Sequence, residues 1–370
     1  MKIVICGLSI SSAWGNGHAT LLRGLFRALH SDGHEVHFFE RDTPYYAAHR
    51  DATSFPFAHL HLYCNWIDVL PSLQAQLNDA DAAMVTSYCA DGVSACELIT
   101  QSNIAKKIFY DMDTPVTLSR LERGEMVEYL PAEGLGGFDL VLSYTGGEAL
   151  TQLRHRLHAR HVAALYGWVD PEIHHPVQPV DEYRADLSYL GTFAADRQRA
   201  WEQLLLLPAK ELPEKRFVVG GAMYSQVEQW PTNVSYRAHV PPAEHSGFYC
   251  SSRLTLNITR GAMAAMGYCP SGRLFEAAAC GTPVLSDWWK GLNEFFQPGD
   301  EILIANSTAE AVTAIQQDAG ALKQIGARAK QRALDCHTAA IRARQLIELI
   351  ETDSGSQPAA ERDAYAYEEA

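Results

Sequence analysis

The sequence predicts an α/β protein built from two Rossmann-like domains, and three observations lead to this prediction. With 370 residues, 47% of them hydrophobic and 20% charged, the chain is too long for one core and apolar enough for two. Strand-like and helix-like segments alternate along both halves. Between the halves, residues 166–181 contain several prolines and suit neither helix nor strand.

The first half begins as a strand, a helix and a second strand. Lys2–Gly7 has the apolar character of a buried strand, and residues 20–31 carry apolar side chains at helical spacing. The Asp32-Gly33 pair ends that helix before a strand over 35–40. Further strands are predicted over 82–87, 107–110 and 138–143, with a helix over 93–99. Such alternation builds parallel sheets.

The second half repeats the pattern. Strands are predicted over 187–190, 216–219, 254–258, 283–286 and 301–304, and helices over 196–206, 271–279, 309–318 and 322–351. We therefore assign a first domain to residues 1–175 and a second to 180–335. A C-terminal helix, 336–352, could cross back to the first domain, and the acidic tail 353–370 is expected to be disordered.

Composition restricts the partners. The formal net charge of −14, from 44 acidic and 30 basic residues, repels phosphate backbones, so we expect no nucleic acid partner. The sequence contains no run of about 18 apolar residues, so we expect no integral membrane segment. The chain opens as a β-strand rather than a signal peptide, and its eight cysteines lack metal-knuckle spacing. We expect a cytoplasmic enzyme.

A glycine-rich turn follows the first strand. Gly15-Asn16-Gly17-His18 stands where doubly wound sheets bind ligands, and its glycines let a bound group approach the backbone. Asp111 and Asp113 follow another strand of the same domain. Either carboxylate could orient His18 and raise its pKa, which would make His18 a general base. The alternative is structural, with the histidine packed or capping the helix and the aspartates in a turn.

The Asp-x-Asp spacing also allows a metal interpretation, because two carboxylates can chelate a divalent cation that holds a diphosphate. We expect no metal, since basic residues of the second domain can neutralise the diphosphate instead. The adjacent His174 and His175 lie in the linker. Two histidines without further ligands rarely bind a metal.

The most informative segment spans residues 270–284. Ser271 can cap a helix whose first N–H groups and dipole attract phosphate, and Arg273 adds a cation. One turn further on, the carboxylate of Glu276 can hold both ribose hydroxyls. Gly281 and Pro283 end the helix before a buried strand.

This segment resembles the nucleotide-binding motif of GT-B glycosyltransferases, especially the spore-maturation CgeB-like group. The resemblance covers most of the chain and rests on the pattern R-x-x-E-A-x-A-C-G-x-P-V from residue 273, the Ser286-Asp287 pair, and Phe296-x-Pro298-Gly299. It implies two facing domains and a nucleotide-sugar donor. For single residues it implies that Glu276 binds ribose and that the residues near the diphosphate are Gly17, Arg197, Arg260, Ser271, Gly272 and Arg273.

One position departs from the related retaining enzymes. Many of them carry two glutamates in an E-x₇-E pattern, but Tyr268 stands eight residues before Glu276 in this sequence. The stereochemistry therefore stays open. We favour retention over inversion, in which His18 with Asp111 or Asp113 would act as the base.

The predicted function is a metal-independent transfer of a sugar from a nucleotide diphosphate, with UDP as first choice and no cofactor. The acceptor is a hydroxyl group on a glycan, lipid, protein or small metabolite. The alternatives are a sugar-nucleotide epimerase of the same fold and a non-catalytic nucleotide- or glycan-binding protein that has kept it.

Overall fold

The first domain is built on a seven-stranded parallel sheet. The computed structural model describes residues 1–352, except Ser225, Gln226 and Glu228, so the predicted tail 353–370 lies outside the described residues. The strand order is β3-β2-β1-β4-β5-β6-β7. The strands are β1 (Lys2–Gly7), β2 (Glu35–Arg41), β3 (His59–Tyr63), β4 (Ala82–Thr86), β5 (Lys106–Asp111), β6 (Leu140–Ser143) and β7 (Val162–Ala164).

A six-stranded parallel sheet forms the second domain, in the order β10-β9-β8-β11-β12-β13. In both sheets the order reverses beside the first strand, so the switch points lie between β1 and β4 and between β8 and β11. Ligands of open α/β sheets bind outside the carboxyl ends of the strands at such points. The strands are β8 (Leu187–Leu190), β9 (Phe217–Gly220), β10 (Val234–Arg237), β11 (Thr255–Asn257), β12 (Val284–Ser286) and β13 (Leu303–Ile304).

Helices connect the strands and cover both faces of each sheet. In the first domain they are α1 (Gly17–Ser31), α2 (Pro44–Ala48), α3 (Trp66–Leu77), α4 (Gly92–Gln101), α5 (Thr114–Glu122) and α6 (Glu148–Leu157). The rest of the chain contains α7 (Gln198–Trp201), α8 (Leu207–Glu211), α9 (His245–Cys250), α10 (Gly261–Met266), α11 (Gly272–Ala279), α12 (Leu292–Phe295), α13 (Thr308–Ile315), α14 (Ala319–Cys336) and α15 (Ala339–Glu351). None of the helices within residues 1–352 is both long and apolar enough to cross a membrane.

Helix α1 illustrates how the sequence pattern becomes structure. Its N-cap is Asn16, whose side chain accepts a hydrogen bond from Ala19 N at 3.3 Å. Leu22, Leu25 and Phe26 are buried on the face that covers the sheet. Past the end of α1, Gly33 has a φ of +83°, a conformation that glycine adopts without strain.

The C-terminal helix α15 lies on the first domain. Ala343, Leu346 and Ile350 are buried in the same apolar cluster as Leu22 of α1. Ala339 packs so close to Gly24 that a Cβ added to the glycine would lie 3.6 Å from the alanine Cβ. The chain thus returns to its first domain after completing the second.

The structure corrects part of the predicted secondary structure. The single helix expected over 322–351 is two helices, because the chain turns at His337 and Thr338, whose hydroxyl caps α15 by accepting from Ile341 N at 3.4 Å. Strands β3, β7 and β10 were not predicted. Strand β3 contains two histidines, and β7 and β10 have only three and four residues, so each carries little strand signal.

Candidate active site

The loop after β1 is organised around one buried carboxylate. Glu40, the next-to-last residue of β2, is fully buried. Its Oε2 accepts from the backbone N–H groups of Ile10 and Ser11 at 2.7 and 3.0 Å, and its Oε1 accepts from the hydroxyls of Ser9 and Ser11 at 2.8 and 2.5 Å. Four hydrogen bonds to one carboxylate fix the course of this loop, which leads into α1. Sequence analysis missed this role.

His18, the second residue of α1, is half-buried at the carboxyl end of the first sheet. Its Nδ1 is buried and has no hydrogen-bond partner within the described chain. Burial lowers the pKa of His18, and the nearby Asp113 carboxylate only partly opposes this effect. The imidazole is therefore neutral at pH 7 and can accept a proton. Asn16 caps the helix, which leaves His18 without that structural role.

The two aspartates after β5 differ in environment. Asp113 is partly exposed, and its Oδ2 accepts a hydrogen bond from Tyr88 Oη at 3.1 Å. Asp111 is fully buried; its Oδ1 accepts from Asp113 N at 3.0 Å, and its Oδ2 has no partner among the residues described. Burial raises the pKa of Asp111 to about 7. Asp113 is thus the carboxylate whose charge acts on His18.

Tyr88 completes this group, and no sequence motif predicted it. The residue follows β4 with a φ of +62°, an uncommon conformation for a non-glycine residue. Its ring centroid lies 5.6 Å from that of His18, and its hydroxyl bonds Asp113. Tyr88 therefore bridges the histidine and the aspartate that were expected to act together.

Arg273 lies at the switch point of the second sheet. Its Nε donates to Leu190 O at the end of β8 at 2.5 Å, and one terminal nitrogen donates to Asn257 Oδ1 at the end of β11 at 2.9 Å. The guanidinium also lies over the ring of Tyr189, 5.3 Å from its centroid. A cation is thus anchored where doubly wound sheets bind their ligands.

Two further arginines lie close to Arg273. Arg197 donates to Thr192 O at 2.6 Å, but its buried Nε has no partner within the described part of the chain. Burial lowers the pKa of Arg197, and the charges of Arg273 and Arg260 contribute to the lowering. Arg260 makes a 3.4 Å ion pair with Asp196. Within the described residues, these three neighbouring guanidinium groups make one ion pair, that of Arg260 with Asp196, an arrangement suited to binding an anion.

Helix α11 starts beside these arginines. Its first residue is Gly272, and Ser271 occupies the N-cap with extended backbone but makes no side-chain capping bond. Ser271 thus occupies the predicted N-cap position, but the expected capping bond from its hydroxyl to an N–H of the first turn is not formed. An added Cβ on Gly272 would lie 3.7 Å from Glu276 Oε1. The helix N-terminus and the carboxylate thus face the same space.

Glu276 is held by residues from outside α11. Tyr249 Oη donates to its Oε2 at 3.1 Å. Burial, the largest single influence, raises the pKa of this carboxyl group, but the imidazoles of His174 and His245, the Tyr249 hydrogen bond and the Arg273 charge together outweigh it and lower the pKa. Glu276 is therefore a carboxylate at neutral pH, able to accept hydrogen bonds from hydroxyl groups.

The predicted residue Gly17 opens α1 on the exposed surface of the first domain. A Cβ added to it would meet no other described atom within 4 Å, so the backbone there is open to a bound group. Nearby, the exposed Trp14 stacks on His239 of the second domain with ring centroids 4.0 Å apart. The carboxyl ends of β1 and β10 therefore face one another across the domain boundary.

Tyr268 forms a second contact between the domains. Its ring lies between Gly147 of the first domain and Gly291 of the second, and an added Cβ on either glycine would come within 2.5 Å of a ring carbon. Its backbone carbonyl accepts from Gly146 N at 3.0 Å, and its φ is +47°. Tyr268, the residue that departs from the E-x₇-E pattern, thus packs between the two domains.

Comparisons with known proteins agree with this architecture. Residues 197–348 match the family model described as "Glycosyl transferase-like". A sequence search of the curated proteins returns no match. The family match spans most of the second domain, including Arg197, Arg260, Arg273 and Glu276.

Solved structures share the fold over nearly the whole chain. Sucrose-phosphate synthase from Thermosynechococcus elongatus has a TM-score of 0.68 at 16% identity, covering 94% of this chain and 98% of that one. An α-glucosyltransferase in complex with UDP and a 13-mer DNA has 0.64 at 13%, covering 95% and 100%. HepE from Anabaena in complex with UDP and glucose has 0.59 at 13%, covering 95% and 99%.

These likenesses confirm the predicted fold class, two parallel-sheet α/β domains in the GT-B arrangement. The family match in the second domain confirms the predicted enzyme class, a glycosyltransferase.

Proposed function

We propose that this protein transfers a sugar from a UDP-sugar to a hydroxyl group of an acceptor. The observation that carries the proposal is the group formed by Arg273, Arg197 and Arg260 at the switch point of the second sheet, next to the N-terminus of α11. A helix N-terminus and bidentate cations are favourable surroundings for a diphosphate. Two structures of the same fold contain UDP, which supports the choice of nucleotide.

In this proposal the ribose hydroxyls donate to Glu276. Tyr249 donates to Oε2 of this carboxylate, and the other oxygen, Oε1, faces the N-terminus of α11. Ser271 and Gly272 then present their backbone N–H groups to the diphosphate, and Gly17 approaches it from the first domain. The guanidinium groups neutralise the leaving diphosphate without a metal ion or cofactor.

The reaction breaks the bond between the anomeric carbon and the diphosphate oxygen and forms a bond from the acceptor oxygen to that carbon. The acceptor hydroxyl gives its proton to the departing diphosphate oxygen under retention, or to a base of the protein under inversion. We propose retention of configuration, in which the open backbone at Gly17 lies against the donor phosphate. In the inverting alternative, neutral His18 takes the acceptor proton and Asp113 stabilises the resulting imidazolium. The anomeric configuration of the product, read by NMR coupling constants, distinguishes the two.

The acceptor is proposed only as a hydroxyl compound: a glycan, lipid, protein or small metabolite. Nucleic acid is not proposed, because the net charge is −14. We further propose that the protein belongs to the CgeB-like group, because of the motifs in its second domain. We also propose that it acts in the cytoplasm. The exposed aromatic residues Trp14 and Tyr45 lie on the side of the first domain where an acceptor would bind.

Nucleotide binding tests this proposal. UDP at about 100 times its Kd should stabilise the protein by about 2.7 kcal/mol, seen as a rise in melting temperature beyond that caused by other nucleoside diphosphates. Glu276→Ala should reduce this rise, whereas Glu97→Ala, an exposed position on α4, should not. A folded protein that responds to no nucleotide would refute donor binding. Consumption of the donor without acceptor, detected by mass spectrometry of the sugar, would indicate an epimerase.

A further inference from the structure

A buried histidine of the interdomain linker has an unpartnered nitrogen beside the proposed ribose carboxylate. His174 is 3% exposed, and its Nε2 finds no hydrogen-bond partner in the described structure. Buried polar groups nearly always have a partner. One potential ligand atom each of His174, His245 and Glu276 lie within 4.8 Å of one another. We call these three residues the linker cluster.

The surroundings leave ligand atoms free in the other two members. His245 Nε2 lies 3.2 Å from Val240 O, so Nε2 carries the proton and Nδ1 has a free lone pair. Tyr249 donates to Glu276 Oε2 and leaves Oε1 unoccupied by that contact. A backbone carbonyl behind a histidine and a hydrogen bond to a carboxylate are the outer partners that metal ligands use to fix their orientation.

The backbone of the linker is fixed at this point. His174 N donates to Asp170 O at 2.9 Å, and Ser246 Oγ, on α9, donates to Ile173 O at 2.9 Å. His174 and His245 are therefore held on adjoining backbone segments. His245 and Glu276 remain partly exposed, so solutes can reach the cluster.

We propose that the linker cluster binds a divalent transition ion of the zinc type. Two imidazoles and one carboxylate are a ligand set that Zn²⁺ accepts, with a fourth position for water. At bond lengths of about 2.0–2.1 Å, tetrahedral ligand atoms lie about 3.3 Å apart, so small side-chain movements close the cluster on an ion. Sequence analysis set aside His174 because no further ligands were apparent; the fold supplies them from α9 and α11.

The ion and the nucleotide exclude one another, because both require Glu276. This step rests on the proposed function, in which that carboxylate holds the ribose. Bound zinc would therefore act as a competitive inhibitor with respect to the donor.

Calorimetric titration of the full chain with ZnCl₂ tests the site itself. Wild type should bind one ion at the linker cluster, and His174→Gln, which keeps the side-chain volume, should weaken that binding by at least roughly tenfold, since even an outer-shell partner of a metal contributes 10- to 100-fold. The matched control is His59→Ala, which removes a member of a separate group, Glu35, His37 and His59, and should leave the affinity unchanged. Unchanged zinc affinity in His174→Gln, or loss in His59→Ala instead, would overturn the site.

Titration with UDP at increasing zinc tests the exclusion. The apparent Kd for UDP should rise linearly with zinc in wild type and at least roughly tenfold less steeply in His174→Gln. A UDP affinity independent of saturating zinc would overturn the shared use of Glu276. If no nucleotide binds at all, the proposed function fails, and the zinc titrations alone decide whether the linker cluster is a metal site.

Discussion

The carboxylate of Glu40 gives a stability prediction whose size follows from its hydrogen bonds. In Glu40→Ala the N–H groups of Ile10 and Ser11, both in fully buried residues, lose their acceptor. Each buried unsatisfied donor costs about 1–3 kcal/mol. With the cavity left by the side chain, we expect a loss of about 3–6 kcal/mol, a large part of the roughly 5–15 kcal/mol that stabilises a domain.

Glu40→Gln should behave very differently. The amide oxygen can accept from the two backbone N–H groups, and the amide NH₂ can donate to the hydroxyls of Ser9 and Ser11, which rotate to become acceptors. Only the assistance of the charge is lost, about 1 kcal/mol.

Urea unfolding followed by far-UV circular dichroism measures both variants beside wild type. Because the loop that Glu40 holds leads into α1 and His18, Glu40→Ala should also lose turnover at temperatures where it is still folded. An alanine variant within about 1 kcal/mol of wild type, or a glutamine variant as damaged as alanine, would refute the hydrogen-bond argument.

Three further predictions concern the space between the domains. Asp113→Asn removes the charge that raises the pKa of His18, so if His18 is the base, the acid limb of the kcat/KM profile moves to lower pH. His18→Ala should lower the rate by about 10²-fold or more at unchanged melting temperature. A loss of only a few-fold would exclude the role of His18 as the base. Tyr268→Ala removes the ring that lies between Gly147 and Gly291, so initial rates should show a higher KM for the donor with a smaller change in kcat. Tyr268→Phe, which keeps the ring, should resemble wild type.

The sequence predicted the fold because both domains carry strong periodic signals. The spacing of apolar residues predicts buried strands such as β1 and amphipathic helices such as α1. The long C-terminal helix was placed correctly in general, but its break at His337 was not predicted, because contacts distant in sequence stabilise the turn. Val169 N donates to His337 O, and His337 Nε2 bonds Phe295 O. Local patterns carry no information about such contacts.

The residues proposed for the site came from motifs, and the structure adds those that only tertiary contacts reveal. Tyr88 has no motif, yet it links His18 and Asp113. His174 lies in the linker, and only tertiary contacts bring it close to Glu276. A lone tyrosine or histidine in a loop is indistinguishable from a packed one until its neighbours are known.

Asp111 yields the last prediction, because a buried carboxyl group with one unpartnered oxygen makes stability depend on pH. Burial raises its pKa from the ordinary aspartate value of about 3.9 to about 7, so between these values the folded state binds more protons than the unfolded state. Stability from this group is complete below the unfolded pKa, falls as pH rises, and becomes constant above about 7. Integration gives a loss of about 3 kcal/mol between pH 5 and pH 8. Asp111→Asn, an isostere of the protonated acid, should remove this dependence, so its urea midpoint should exceed that of wild type increasingly as pH rises. Parallel midpoint curves for the two proteins would show that Asp111 is ionised throughout and that its free oxygen is solvated.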